Sequence, residues 1–323
     1  MSFARKLIAW QRRDGRRALP WQDTRDPYRV WLSEVMLQQT QVASVIPYYE
    51  RFLARFPDLQ ALAAASEDDV LRLWSGLGYY ARGRNLHRAA RRIALDLKGA
   101  FPESAARIEA LPGVGRSTAA AIAVFAFGER AAILDGNVRR VLARCFGVEG
   151  ARAQWALAER LLPKRGIETY TQGLMDLGAT LCTRANPACE RCPVALDCVA
   201  RRDGRISELP APRARKQQPT RRATWFVFVH RGEVLLERRP SAGIWGGLWA
   251  FPEKALACGI RNKKRLPTLE HGFTHFKLKV QPVLCQVSAR TEAPGRIWLP
   301  LRDAVAAAVP APVKTLLSGL LDK

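Results

Sequence analysis

Four cysteines lie within one short stretch of the chain and are its clearest candidates for metal chemistry. Their spacing is C-x6-C-x2-C-x5-C, at Cys182, Cys189, Cys192 and Cys198. Four thiolates this close together can surround one soft metal centre. The spacing favours an iron–sulfur cluster over structural zinc, because zinc sites usually combine two short cysteine pairs. Disulfides are the third and weakest alternative, because the chain has seven cysteines, an odd number, and no visible secretory signal.

Two carboxyl groups occupy positions where acid–base chemistry is possible. Glu34 lies in PYRVWLSEVMLQQTQV among apolar neighbours, which raise the pKa of a carboxyl and let it hold a proton near neutrality. Asp135, in AAILDGNVRR, ends an apolar run and precedes a helical pattern that would keep it ionised. Simpler alternatives stay open, since Glu34 could face solvent and Asp135 could be only a helix N-cap.

The string LPGVGRSTA, from Leu111 to Ala119, is the strongest candidate for contact with nucleic acid. Gly113 and Gly115 lie two residues apart, directly ahead of a helical pattern. Without side chains there, backbone N–H groups can approach a phosphate closely, aided by the positive end of the next helix. A bare G-x-G is more often an ordinary turn between helices, and this alternative also stays open.

The charge balance of the chain indicates a polyanionic partner. Its 323 residues carry 52 Lys and Arg against 29 Asp and Glu, a formal net charge of +23. Such an excess repels itself in the folded state, and nucleic acid is the leading candidate to neutralise it. A membrane partner is not expected, because no stretch approaches the roughly 20 apolar residues of a spanning helix. We expect an intracellular protein, cytoplasmic or nucleoid-associated, since no secretory signal is visible.

Hydrophobic periodicity divides the chain into a helical part, a basic linker and a strand-rich part. Apolar residues recur at three- and four-residue spacing from residue 28 to about 200, which predicts helices. Residues 201–222 break this pattern with eight basic residues and three prolines. Alternating runs follow around a turn at Arg231-Gly232 and again over residues 273–287, which predicts strands. The predicted fold class is multidomain and mainly α, with a C-terminal α/β domain.

Several of these motifs together resemble the helix-hairpin-helix DNA glycosylases, the family of endonuclease III and adenine DNA glycosylase. The cysteine loop, the LPGVGRSTA hairpin and the segment around Asp135 all match its pattern. The resemblance implies one 4Fe–4S cluster per chain, held by the four cysteines. It identifies Asp135 as the catalytic aspartate and Asn137 as the asparagine that supports it. It also assigns DNA contacts to hairpin residues, namely Leu111, Gly113, Val114, Gly115 and Ser117.

The segment around Glu34 narrows the resemblance to adenine DNA glycosylases of the MutY type, whose catalytic segment it nearly duplicates. Adenine leaves poorly as an anion, so its N7 must first be protonated, which a neutral Glu34 could do. The base must also leave the stack. The resemblance assigns the filling of the gap to Gln39 and to Tyr79, although spacing alone makes Tyr79 equally a core aromatic. Further DNA contacts are expected from the neighbours Gln38 and Thr40.

Ser117 bears on whether the DNA strand is cut. Endonuclease III-like members have a lysine at this place, whose amine attacks the sugar, forms a Schiff base and leads to strand cleavage. A hydroxyl cannot form an imine. Ser117 therefore predicts an enzyme that removes a base and stops there, without strong strand-cleaving activity.

The last hundred residues resemble a Nudix domain, most clearly in RRPSAGIWGGLWAFPE. The segment after Phe251 lacks the glutamates that bind metal in working Nudix hydrolases, so the fold is expected without that hydrolase activity. In the MutY type, this domain recognises 8-oxoguanine opposite the adenine through the loop F-S-H. The matching residues here are Phe273, Thr274 and His275. Thr274 keeps a hydroxyl donor and acceptor but adds a methyl group.

Together these features predict a hydrolase of base excision repair that removes adenine mispaired with 8-oxoguanine or guanine. It should flip the adenine out of double-stranded DNA and hydrolyse its N-glycosidic bond, acting as a monomer. A bifunctional endonuclease III-like enzyme is the nearest alternative, disfavoured by Ser117. A non-catalytic iron–sulfur DNA-binding module is another, disfavoured by Glu34 together with Asp135.

Four regions are predicted along the chain. They are a six-helix domain with the hairpin at 22–130, an iron–sulfur cluster domain from 1–21 and 131–202, a basic linker at 203–222, and a Nudix-like 8-oxoguanine-recognition domain at 223–323. The three remaining cysteines, Cys145, Cys258 and Cys285, are predicted to be buried small hydrophobic residues.

Overall fold

Helices fill the N-terminal two thirds of the chain, and a mixed β-sheet with two helices fills the rest. The computed structural model describes residues 1–211, 217–256 and 259–322. By packing, these residues divide into two units, Met1–Ala64 with Arg88–Ala214 and Ala65–His87 with Arg215–Lys323. The predicted fold class, mainly α with a C-terminal α/β domain, is confirmed.

Several helices begin directly after a capping side chain or a glycine. Ser2 and Asp26 accept hydrogen bonds from the backbone N–H groups of Arg5 and Tyr28 and so cap the first two helices. The helices of the N-terminal part are α1 (Phe3–Asp14), α2 (Pro27–Leu37), α3 (Val42–Arg55), α4 (Leu59–Ala64), α5 (Glu67–Trp74), α6 (Ala81–Asp96), α7 (Ala105–Glu109), α8 (Arg116–Phe127), α9 (Gly136–Phe146), α10 (Ala151–Arg160), α11 (Ile167–Asp176) and α12 (Val199–Arg202). Helix α5 and the start of α6 belong to the second unit.

The core of the first unit is built around α8 and α9. Helix α8 has buried alanines at positions 119, 120, 121 and 123, and these small side chains let α2 and α7 pack close to it. Helix α9 packs against α10, α11 and α12. Leu142 of α9 and Leu174 of α11 belong to the same buried cluster as Leu7 of α1. The two loops that enter α8 and α9 are therefore held by a rigid centre.

The second unit contains a mixed sheet of seven strands. They are β1 (Thr220–His230), β2 (Glu233–Arg238), β3 (Trp249–Ala250), β4 (Ile260–Arg265), β5 (Leu269–Gly272), β6 (Lys277–Val287) and β7 (Arg296–Pro300). Strand β1 runs parallel to β6 and antiparallel to β2, while β4 and β5 both pair with β6. The predicted turn between β1 and β2 is confirmed, with Arg231 at φ 46° and Gly232 at φ 82°, as a two-residue hairpin requires.

Helical residues 65–87 pack with the sheet domain. Ser75 Oγ donates a hydrogen bond to the carbonyl oxygen of Val309 at 2.7 Å, and Arg238 forms an ion pair with Asp68 at 2.7 Å. The C-terminal helices of this unit are α13 (Leu301–Ala306) and α14 (Ala311–Leu321). The predicted domain bounds rest on sequence patterns, whereas the two units are defined by packing. The predicted bounds therefore stay a prediction.

The segment predicted as a linker has ordered contacts at its start. The carbonyl oxygen of buried Leu209 accepts a hydrogen bond from Arg144, and the backbone N–H of Ala211 donates one to Glu149. Residues 212–216, in the middle of this segment, lie outside the described residues, and β1 begins at Thr220. No helix in the described part of the chain has the length and hydropathy needed to cross a bilayer.

Candidate active site

Glu34 lies near the C-terminal end of α2, on the helix that packs against α8. Its neighbours Ser33, Val35 and Met36 are all buried, whereas the Glu34 side chain itself is half-buried. Burial and, to a smaller extent, the nearby negative charge of Asp135 together raise the pKa of the Glu34 carboxyl to about 8. Glu34 is therefore mostly neutral at pH 7 and can donate a proton.

Asp135 is the N-cap of α9. Its Oδ1 accepts a hydrogen bond from the backbone N–H of Val138 at 2.8 Å, and the positive end of the α9 dipole lies beside it. Ile133 and Leu134, just before it, are buried and anchor the loop. The predicted cap is confirmed. The structure also brings Asp135 close enough to Glu34 for their charges to interact, which spacing along the chain did not indicate.

Ser117 connects the hairpin to the loop that carries Asp135. Its Oγ accepts a hydrogen bond from the backbone N–H of Leu134 at 2.9 Å. Next to it, Thr118 Oγ1 accepts a hydrogen bond from Gln38 Nε2 at 3.2 Å, which links α8 to the segment after α2. The sequence predicted that Ser117 contacts DNA and that its hydroxyl cannot form an imine. The structure adds a positive role, since its hydroxyl positions the residue before Asp135.

The segment that follows α2 projects polar groups from the first unit. Gln39 is exposed and has φ 57°, in the left-handed region that non-glycine residues rarely adopt. Thr40 Oγ1 donates a hydrogen bond to the carbonyl oxygen of Gln38 at 3.3 Å. Backbone strain of this kind is common at functional sites, where the surrounding structure maintains it.

The predicted hairpin lies between α7 and α8. Leu111 and Val114 are buried, whereas Gly113 and Gly115 are exposed. Gly113 has φ 78°, and a Cβ built on Gly115 would meet only open space. Gly115 is also the N-cap of α8, where a glycine has no side chain to bond the first N–H groups of the helix. These N–H groups remain accessible to an anion such as a phosphate.

Asn137, in the first turn of α9, takes part in a network that the sequence did not indicate. Arg140 donates hydrogen bonds to Asn137 Oδ1 at 2.8 Å, to the carbonyl oxygen of Gly178 at 2.7 Å and to that of Cys182 at 2.8 Å. Gly178 lies in a π-helical turn, Leu177–Leu181, and a Cβ there would be 2.6 Å from the Cβ of Asn137. The N-terminal turn of α9 is thus tied directly to the start of the cysteine loop.

The four motif cysteines line one cavity, together with Cys145 and apolar residues such as Leu177 and Leu181. All four are free thiols, so the disulfide alternative has no support. Two short 3-10 turns, Cys189–Arg191 and Ala195–Asp197, shape the loop around the cavity. Within the described ranges, no three His, Cys, Asp or Glu side chains are positioned to share a single metal ion. Four thiols that line one cavity fit a metal centre held by cysteine thiolates.

Arg144 connects the beginning of the cysteine loop to the segment that follows the loop. Its buried guanidinium donates hydrogen bonds to the carbonyl oxygens of Thr183 at 2.7 Å and Leu209 at 2.8 Å, and to Cys182 Sγ at 3.6 Å. Neither Arg140 nor Arg144 was predicted, because both read as ordinary exposed positions of an arginine-rich helix. Of the other cysteines, Cys145 and Cys285 are buried as predicted, and Cys258 lies outside the described residues.

Tyr79 lies in the second unit, in the short loop before α6. It is 47% exposed, which contradicts the alternative of a core aromatic, and its φ is 49°. Arg82 supports it, with its guanidinium 5.4 Å from the Tyr79 ring and 5.6 Å from the ring of Trp74. Arg82 also donates a hydrogen bond to the carbonyl oxygen of Gly78 at 3.2 Å. Burial lowers the pKa of Arg82 to about 10, so the side chain stays charged at pH 7.

The loop between β5 and β6 carries the three residues predicted to contact a lesion. Thr274 and His275 are exposed, whereas Phe273 is half-buried and stacks on Phe276 with ring centroids 4.5 Å apart. The hydroxyl groups of Thr274 and Tyr79 are 3.2 Å apart and share a hydrogen bond. The structure therefore brings together two predicted contact residues that are 195 positions apart in the sequence.

Two family profiles match the chain, one in each part. The profile described as "HhH-GPD superfamily base excision DNA repair protein" covers residues 32–164, and "NUDIX domain" covers residues 224–319. Among solved structures, a thermostable thymine-DNA glycosylase aligns with a TM-score of 0.59 and 31% identity, over 62% of this chain and 95% of its own. Endonuclease III in a non-covalent DNA complex aligns with a TM-score of 0.54, over 62% of this chain and 94% of its own. Its sequence is 21% identical, so this match shows the fold alone.

Relatives of full length are more specific. The adenine DNA glycosylase of Buchnera aphidicola subsp. Acyrthosiphon pisum (strain APS) is 35% identical over 340 residues, covering 98% of this chain and 97% of its own length. The adenine DNA glycosylase of Rattus norvegicus is 34% identical over 396 residues, covering 97% and 77%. Because bacterial and mammalian enzymes match through both the helical part and the Nudix domain, the chain belongs to the MutY family of adenine DNA glycosylases, which are DNA N-glycosylase hydrolases of base excision repair.

Proposed function

We propose that this adenine DNA glycosylase removes adenine paired with 8-oxoguanine or guanine and leaves the DNA strand uncut. The observation that carries the catalytic part is Glu34, whose pKa is raised to about 8 by burial and by the charge of Asp135. Two neighbouring carboxyls in different environments can take different protonation states, and here Glu34 is the neutral acid and Asp135 is its charged partner.

Glu34 supplies the proton in the proposed mechanism. It protonates N7 of a flipped adenine, so that the base leaves as a neutral molecule when the bond from the sugar to N9 breaks. The electrons of that bond leave with the base, and the sugar develops the positive charge of an oxocarbenium ion. Asp135, fixed by the N–H of Val138, supplies the opposing negative charge. Water then adds to the sugar carbon and loses a proton, which gives an abasic site.

Ser117 accounts for the absence of strand cleavage in this proposal. A lyase step needs an amine that can form an imine with the opened sugar. The hydroxyl of Ser117 cannot do so, and it is already engaged by the backbone N–H of Leu134. Support for Asn137 as an accessory residue comes from its bond to Arg140, which fixes the first turn of the helix that Asp135 caps.

Lesion recognition is assigned to the second unit. Tyr79 is exposed and aromatic, as expected of a side chain that wedges beside an unstacked base. Its backbone is held in the left-handed conformation. The hydroxyl of Tyr79 is hydrogen-bonded to that of Thr274, so the proposed wedge residue and the hydroxyl proposed to contact the lesion are positioned together. Gln39, exposed at the end of its own strained turn, is proposed to fill the space left by the flipped adenine. The hairpin at Gly113 and Gly115 would bind phosphate.

The cavity lined by the four cysteines is proposed to hold one 4Fe–4S cluster. Cys182, Cys189, Cys192 and Cys198 would each bind one iron, and Arg144 would stabilise the sulfur of Cys182. When bound, such a cluster supplies iron–thiolate bonds that close the loop, which Arg140 ties to α9. Base removal itself is carried out by Glu34 and Asp135.

The Nudix domain is proposed to recognise DNA and not to hydrolyse nucleotides. The described residues between β3 and β4, 251–256 and 259, form no helix, and they carry a single glutamate, Glu253. That glutamate is paired with Arg239 at 2.6 Å. We further propose that the enzyme acts as a monomer on double-stranded DNA and, since its substrate is genomic, that it is intracellular and associated with the nucleoid.

The test is excision from duplexes that contain adenine opposite 8-oxoguanine, guanine or thymine. Single-turnover assays should give an abasic product that stays uncut until it is treated with base, in the first two duplexes only. Spontaneous cleavage and trapping of a covalent adduct by borohydride would instead identify a bifunctional enzyme. Binding without any excision would identify a non-catalytic DNA-binding protein.

A second arm tests lesion recognition in the full-length chain. Thr274→Ala removes one or two hydrogen bonds to the lesion, so preference for 8-oxoguanine over guanine should fall roughly ten- to hundredfold. Thr315→Ala is the matched control, because Thr315 is exposed and its hydroxyl donates a hydrogen bond within its own helix, to the carbonyl oxygen of Ala311. If Thr274→Ala discriminates as well as the control does, recognition lies elsewhere.

A further inference from the structure

The two faces of the sheet in the second unit carry different side chains. One face carries Trp225 and Val227 of β1 beside Leu278 and Val280 of β6, all four of them buried, although Arg221 at the start of β1 is exposed on it. Side chains alternate along a strand, so the residues between these four belong to the opposite face. That face is buried at Phe228 and Cys285 but becomes exposed towards the start of both strands.

The exposed half of this face is strongly basic. The strand registers place five exposed cations on it, which we call the basic face: Arg222 on β1, Lys277 and Lys279 on β6, and Lys263 and Arg265 on β4. Lys279 pairs with Glu270 of β5 at 2.8 Å. Among the described residues, the other four have no carboxylate within ion-pair distance.

Protection of a sheet edge does not explain this charge. Lysines often blunt an edge strand against pairing with other chains, and β4 is such an edge. Strand β6 is an interior strand, however, since it pairs with β1 on one side and with β5 and β4 on the other, and it carries two of the five cations. A solvated sheet face usually mixes both signs of charge. Five like charges with one carboxylate repel one another and favour binding of a polyanion.

The basic face extends away from the loop that carries Thr274. Gly272 and Lys277 pair at the base of that loop, and Arg265 pairs with Val283, six residues further along β6 (283 − 277 = 6). At roughly 3.3 Å per residue, Arg265 lies about 20 Å from the loop base, and Lys263, opposite Cys285, about 26 Å. Since base pairs are about 3.4 Å apart, this span corresponds to about six to eight base pairs.

We propose that the basic face binds the phosphate backbone of duplex DNA that flanks the lesion. The proposal rests on the proposed function, because it takes the Thr274 loop as the point of lesion contact. Thr220, Thr224 and Gln281 lie on the same face and add polar donors of the kind that contact phosphates. Such contacts hold the duplex independently of its sequence, so they would contribute affinity and not lesion preference.

The experiment neutralises two cations far from the loop in the full-length chain. Lys263→Gln/Arg265→Gln is compared with Arg302→Gln/Lys314→Gln, which loses the same charge from exposed positions on α13 and α14. Helix α13 packs on β2 and β7, strands that carry none of the five cations. Binding to an undamaged duplex of about 30 base pairs is measured by anisotropy between 50 and about 200 mM salt.

The Lys263/Arg265 variant should bind this duplex roughly five- to fiftyfold more weakly at 0.1 M salt, and the slope of log K against log salt should fall by about 1.8, or 0.9 per lost contact. The control should change affinity less than about twofold. On a duplex that ends about three base pairs either side of the lesion, too short to reach Arg265, both variants should bind like the parent.

Two results would overturn the proposal. One is a salt slope equal to that of the control, and the other is a loss of affinity that is the same on the short duplex. Because the long duplex is undamaged, the salt slope does not depend on lesion preference, whereas a parent enzyme with no preference for 8-oxoguanine would contradict the proposed function alone.

Discussion

Replacing Glu34 with Gln removes the proton that the catalytic proposal requires while keeping the shape of the side chain. With a pKa of about 8, about nine molecules in ten carry this proton at pH 7. A glutamate with the ordinary value of 4.5 would carry it in about three molecules per thousand. Burial and the charge of Asp135 therefore increase the population of the acid about three-hundredfold.

The expected result is a fall of at least ~10² in the single-turnover rate of adenine excision at pH 7, with binding to the mispair retained. The parent enzyme should show a rate that is nearly constant up to about pH 8 and then decreases about tenfold per pH unit, as Glu34 loses its proton. The variant should lack this decrease. Glu50→Gln, on the exposed surface of α3, is the matched control.

Stability gives a second readout that does not involve catalysis. Because the pKa of Glu34 is higher in the folded state than the ordinary 4.5, its contribution to stability is full below about pH 4.5 and is lost as pH rises through about 8. The unfolding temperature of the parent should therefore decrease relative to that of Glu34→Gln across this window. A variant rate within about threefold of the parent, or equal pH dependence of both unfolding temperatures, would refute the reasoning.

Three further substitutions test the remaining parts of the site. Asp135→Asn should retain the helix cap, since Asn caps as well as Asp, yet lower single-turnover excision by at least ~10²; normal turnover would make Asp135 only a cap. Cys192→Ser should lose most of about four irons per chain in metal analysis, whereas Cys145→Ala, which changes another cysteine of the same cavity, should keep them; stoichiometric zinc in the parent would contradict the cluster. Arg82→Met should weaken binding to the lesion duplex about tenfold by releasing Tyr79, and Arg82→Lys should restore part of it; parent-like binding by Arg82→Met would exclude a positioning role.

Local sequence patterns were sufficient for the elements and for several site residues. The turn at Arg231-Gly232, the capping role of Asp135 and the glycine hairpin all depend on neighbours within about four residues, so their physics is visible in a short string. Hydrophobic periodicity indicated the wider organisation, a helical part followed by a strand-rich part. The resemblance identified the strand-rich part as a Nudix domain, and the comparisons confirm it.

Contacts between distant residues could not be predicted. Ser117 was noted for lacking an amine, but its bond to Leu134 depends on how α8 packs beside the loop before α9. The hydrogen bond between Tyr79 and Thr274 joins two residues assigned to different predicted domains. In the sequence, Arg82 and Arg140 resemble any arginine of a basic helix. Only the folded structure shows that Arg82 contacts the ring of Tyr79 and that Arg140 donates to the carbonyl oxygen of Cys182. The type of a side chain limits the chemistry it can perform, whereas the packing of the folded chain determines which residues it contacts.

Gly178 shows how a residue without functional groups can behave like part of the active site in a genetic screen. Any side chain there would press against Asn137 and shift the turn that follows Asp135. In a library of single substitutions scored by mutation rate, position 178 should tolerate almost nothing, although it is 43 residues from Asp135 (178 − 135 = 43) and has no side chain to offer a substrate. Failure to tolerate substitutions at this position would indicate that Asn137 leaves no space for a side chain there. A variant at this position would therefore be misclassified as benign by any rule that considers only the loss of chemical groups.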